Sequence, residues 1–70
     1  MDNEALIIEV SARITILNGQ ATTTQTYLLE RVREEDWSSV MVAASHLSSI
    51  SQELESLSVV RDTLQESYYE

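Results

Sequence analysis

Ile7, Val10, Ile14, Leu17, Ala21, Thr24 and Leu28 follow one another in steps that alternate between three and four. This heptad rhythm lays a single stripe along a helix, whereas a strand, with its period of two, cannot present these residues on one face. A helix carrying such a stripe must cover it, so the rest of the chain is read for what could do so.

The second half supplies a matching rod. Proline is absent and the one glycine is Gly19, so nothing beyond it forces a break. Asp36 fits an N-cap. Trp37, Val40, Ala44, Leu47, Ile50, Leu54, Leu57, Arg61 or Val60, Leu64 and Tyr68 then continue at helical spacing. Equal steps of three from Ala44 through Leu47 to Ile50 predict a stammer in this stripe. A helix over 37–67 would be roughly 45 Å long. With a turn at Glu35-Asp36, the arms 4–34 and 37–67 match in length. The expected fold is therefore all-α, an antiparallel helical hairpin forming one domain over residues 1–70, with Trp37 packed at the bend. Asp2 or Asn3 would cap the first helix beside Glu4, and Glu9 and Arg13 stand four apart as a helical ion pair.

Asn18-Gly19 works against this reading. Glycine costs about 1 kcal/mol relative to alanine inside a helix, and Asn-Gly is a strong hairpin dipeptide. One alternative is an N-terminal β-hairpin followed by a single long helix. In it Ile8, Val10, Ala12, Ile14 and Ile16 share a strand face, and the chain returns through Ala21, Thr23, Gln25, Tyr27 and Leu29, a segment rich in β-branched threonine. Another ends the first helix at Gly19 and restarts it at Thr22, where Thr22 and Gln25 fit a capping box.

Charge is distributed unevenly. Twelve acidic residues against four arginines give a net charge of −8. Yet Ile14–Leu29 and Ser38–Gln52 contain no Asp, Glu, Lys or Arg. In a hairpin turning near residue 35 these stretches lie opposite each other. A solvated helix carries charges on its outer face, so long intervals without them predict that more than one face is covered. Ala43-Ala44-Ser45 and Ser48-Ser49 would allow close approach of another helix. A lone hairpin of this size has little core to set against the entropy of ordering its residues. Pairing of two hairpins into a homodimeric four-helix bundle follows as an expectation.

The same composition excludes several functions. An acidic chain lacks the basic footprint that releases counterions from phosphates, so direct nucleic-acid binding is not expected. Both uncharged stretches are too short and too rich in Thr, Ser and Gln for a membrane span. The acidic start Met1-Asp2-Asn3-Glu4 is unlike a secretory signal, and a cytoplasmic protein is expected. There is no cysteine and a single histidine, His46. Position 43 is alanine, so no Glu-x-x-His metal pair is available. Glu34-Glu35-Asp36 and Glu53/Glu55 lack the alternating oxygen spacing of a calcium loop. One glycine cannot build a phosphate-cradling loop. No catalytic residues, cofactor or metal are assigned, and the chain is read as a non-enzyme.

What remains is a small acidic module for protein–protein interaction, of the adaptor, chaperone or assembly-factor kind. It would act through an amphipathic helix face, with Leu47, Ile50, Leu54, Leu57, Trp37 and Tyr68 as candidate interface residues and a protein as partner. The alternatives are an acidic inhibitor that blocks a nucleic-acid-binding protein, consistent with the −8 charge, and a purely structural oligomeriser.

Overall fold

The computed structural model describes residues 3–69, with side chains through residue 67. Two helices, α1 (Asn3–Arg33) and α2 (Trp37–Tyr69), fold back on each other as an antiparallel hairpin. They are 31 and 33 residues long and form a rod of 52 × 15 × 14 Å. The all-α hairpin and its matched arms are as the spacing predicts. The Asp2 cap lies outside the described residues.

The seam repeats strictly on both helices. In α1, Leu17 is buried, and Ile7, Val10, Ile14, Ala21, Thr24 and Leu28 are half-buried around it. In α2, Ala43 and Ile50 are buried, between half-buried Val40, Leu47, Leu54, Leu57, Arg61 and Leu64. The α2 stripe therefore passes through Ala43 and not Ala44, alternates steps of three and four throughout, and contains no stammer. Arg61 takes the seam position and Val60 faces outward. Both runs follow the 3.5-residue period that keeps one stripe against its partner along a supercoil.

Asn18 and Gly19 lie inside α1, and Gly19 has no positive φ. Neither the β-hairpin nor the helix break forms; among the described residues there is no strand. Two physical effects outweigh the local preference. The seam on either side of Gly19 is satisfied only if the helix continues, because Leu17 and Ala21 must share one face. The threonines, in turn, are accommodated through their hydroxyls. Thr15, Thr22, Thr23 and Thr26 each donate a 3.1 Å hydrogen bond to the carbonyl four residues earlier. This internal bonding leaves their methyl groups on the helix surface.

The bend is short because each residue in it terminates or starts a helix. The Glu35 amide donates to the Val32 carbonyl, and the Asp36 amide donates to the Arg31 carbonyl, both at 3.0 Å. This is the Schellman pattern, in which the residue after the helix takes a left-handed conformation. Glu35 occupies that position with φ of 57°. Asp36 then caps α2: its carboxylate accepts from the Ser39 amide at 3.4 Å, and its carbonyl from the Val40 amide. Trp37, expected to close the core at this end, is instead 59% exposed. Arg31 continues the α1 seam there, its guanidinium 2.9 Å from Glu34 and 3.9 Å from Asp36.

Candidate functional site

The hairpin has two long flanks, one on either side of the seam. Assigning the seam residues to heptad positions a and d puts Arg13 of α1 and Glu53 of α2 both at position g. They face each other, with Arg13 Nη2 3.4 Å from the carboxylate oxygens of Glu53. The expected pairing of Arg13 with Glu9 along one helix gives way to this bridge between helices. In an antiparallel pair g meets g, so positions g and c of both helices make one flank and positions b and e the other.

The g/c flank contains an open groove of about 300 Å³, lined by Thr23, Thr24 and Tyr27 from α1 and Val42, Ala43 and His46 from α2. A shallower hollow past Ile16, Gly19 and Gln20 continues it towards the Arg13–Glu53 bridge. Every one of these residues comes from the two uncharged stretches. The helices thus bring the stretches together across the middle of the hairpin, as the turn near residue 35 requires. At the bend end the groove is bounded by the Arg31 guanidinium, 5.2 Å from the centre of the Tyr27 ring, a cation–π distance. Val42 is 71% exposed, so the groove is an uncharged, largely apolar surface open to solvent.

The b/e flank is the longer of the two uncharged surfaces. On α1 it runs through Ile8, Ser11, Thr15, Asn18, Thr22, Gln25, Leu29 and Val32 without one charged residue. On α2 it runs through Trp37, Met41, Ala44, Ser48 and Ser51, and its first charge is Glu55. Leu29, Val32, Trp37 and Met41 are all exposed and gather at the bend end of this flank.

The residues singled out from the sequence divide between these surfaces and the seam. Ile50 is buried, and Leu47, Leu54 and Leu57 are half-buried, because they face α1. Trp37 stands on the b/e flank. The Tyr68 side chain lies outside the described residues. The groove residues Tyr27, Val42 and His46 were not assigned to an interface from the sequence. The signal that would have found them is the heptad lettering itself, which fixes the flanks once the seam is fixed.

The charge-bearing groups do not converge on a chemical site. Among the described residues no three or more His, Asp or Glu side chains are placed to hold a metal ion. No helix among them is long and apolar enough to cross a membrane. Asp36 has a displaced titration. Its hydrogen bonds from Ser39, helped by the Arg31 charge, outweigh desolvation and hold its carboxyl below the ordinary value. Its partners are the helix start and the bend, so the shift belongs to capping. Compared with known proteins, the chain matches no family model, no curated protein sequence and no solved structure.

Proposed function

We propose that this protein is a non-catalytic protein–protein interaction module whose g/c groove receives an apolar face of a partner protein's helix. The observation that carries this reading is the meeting of two uncharged stretches in an open groove, with Tyr27 46% and Val42 71% exposed. Exposed apolar surface of this kind marks interaction sites in small proteins. A groove between two parallel walls suits an amphipathic helix, whose apolar side chains at helical spacing would enter it in turn. Tyr27 lies against Arg31 at the edge of this groove, and tyrosine and arginine are enriched among the residues that contribute most at interfaces.

Adaptor, chaperone and assembly-factor roles all use such a surface. The leucines and isoleucine of the α2 seam support it from behind by fixing the spacing of the two walls. The test is capture by the full-length chain from cell extract, repeated with Val42→Glu and Thr23→Glu. A single protein recovered in stoichiometric amount by the wild type and lost with both substitutions is the expected result. Recovery that survives both substitutions overturns the groove reading. Recovery of a basic protein that weakens steeply as salt is raised would favour the acidic-inhibitor alternative, because that attraction is screened.

A further inference from the structure

We propose that the b/e flank is the surface through which two copies of this chain pair, face to face, leaving the g/c groove open on each. This goes beyond the groove reading, since it concerns the opposite side of the hairpin.

Three observations support a second copy as the occupant. The first is area. A compact globule of 7.9 kDa exposes about 4,400 Å², whereas this hairpin exposes 5144 Å². The surplus of about 700 Å² is close to the roughly 800 Å² each partner contributes to a standard interface. The second is charge. Despite a net charge of −8, no acidic residue lies on this flank between Ile8 and Val32 of α1 or between Trp37 and Ser51 of α2. Two copies can therefore meet here without opposing carboxylates, as they could not on the g/c flank, where Glu9, Glu30 and Glu53 stand.

The third is desolvation. Thr15 and Thr22, central on this flank, already donate their hydroxyl protons to the Ser11 and Asn18 carbonyls. A hydroxyl bonded within its own helix loses little when water is removed from it. Ala44 and Ser48 face the same way and are small enough for close helix approach. Leu29, Val32, Trp37 and Met41 then supply apolar contact near the bend. An isologous interface needs one patch complementary to itself, and the uncharged part of this flank, from Ile8 to Val32 and from Trp37 to Ser51, meets that requirement.

The test is sedimentation equilibrium on the full chain, with thermal melting followed by circular dichroism at several protein concentrations. The wild type is expected at twice the chain mass near 50 µM, with a Tm that rises with concentration. Ala44→Glu and Met41→Lys, which alter exposed side chains outside the seam, are expected to weaken association at least tenfold and to remove the concentration dependence of Tm. Thr23→Glu, on the groove side, is expected to leave both unchanged. A wild type at single-chain mass with a concentration-independent Tm overturns the proposal. So does Ala44→Glu that stays paired, or Thr23→Glu that dissociates while Ala44→Glu does not. Loss of the groove partner with Thr23→Glu, alongside intact pairing, would keep the two assignments separate.

Discussion

Glu35 holds a left-handed backbone conformation in which a side chain crowds the following carbonyl. Glycine removes that crowding and is the usual residue after a Schellman bond pair. Glu35→Gly is expected to stabilise the hairpin by about 1 kcal/mol, a rise in Tm of roughly 4–8 °C for a domain this small; no change in a thermal melt would contradict the assignment of strain. Beside it, Asp36 is stabilised in its charged form by Ser39 and Arg31. A carboxyl whose folded pKa is depressed adds stability above its unfolded value and loses it as pH falls through the folded one. The wild type should therefore lose more stability than Asp36→Asn between pH 5 and strongly acidic conditions, as read from Tm against pH.

The helices owe their form to a pattern longer than any single propensity. The Asn-Gly pair and the threonine run favour strands locally, but the heptad continues through them and the threonine hydroxyls bond within α1. Gly19 has an ordinary helical φ, and a methyl group added there would meet nothing within 4 Å. Gly19→Ala should accordingly raise stability by about 0.5–1 kcal/mol, measured by urea denaturation; destabilisation would mean that α1 does not continue through this point. In the seam the direction reverses. Leu17 is 1% exposed, and Leu17→Ala is expected to cost about 2–5 kcal/mol, enough to unfold a domain of modest stability. Trp37→Ala should leave the hairpin fold intact, since its ring is 59% exposed in the single hairpin, and should lower Tm only through weaker pairing, an effect that vanishes on dilution.

These contrasts show where the sequence is legible. The α1 stripe, the bend, the Asp36 cap and the two matched arms follow from spacing and capping chemistry alone. Within the α2 stripe one position differs, Ala43 in place of the expected Ala44, because the two alanines are chemically identical and hydrophobicity does not distinguish them. Trp37 lies outside the seam at the bend, where Arg31 is half-buried instead, for a related reason. Hydrophobicity puts a tryptophan inward, but the left-handed turn at Glu35 starts α2 with Trp37 on a flank. The arginine reaches two carboxylates from a seam position. The flanks themselves were legible only as uncharged intervals, because deciding which residues share a side requires the corrected seam.

At the scale of the whole molecule, the hairpin is a rod with one line of contact and little interior. Leu17, Ala43 and Ile50 are its buried apolar residues among those described, and the stretches 14–29 and 38–52 carry no charge on either flank, where a solitary helix pair would be solvated by charges. Its acidic residues lie at the bend and towards the opposite end of the rod, outside the stretches 14–29 and 38–52, which leaves the middle of each flank available. Pairing through the b/e side and partner capture through the g/c side would divide these surfaces between two tasks. The most direct measurement is sedimentation equilibrium of the wild type from 0.05 to 0.5 M salt. Because the proposed contact is charge-free and both copies are acidic, screening should strengthen association as salt rises. A chain that remains single at every salt concentration, or pairs more weakly as salt is added, would contradict the account.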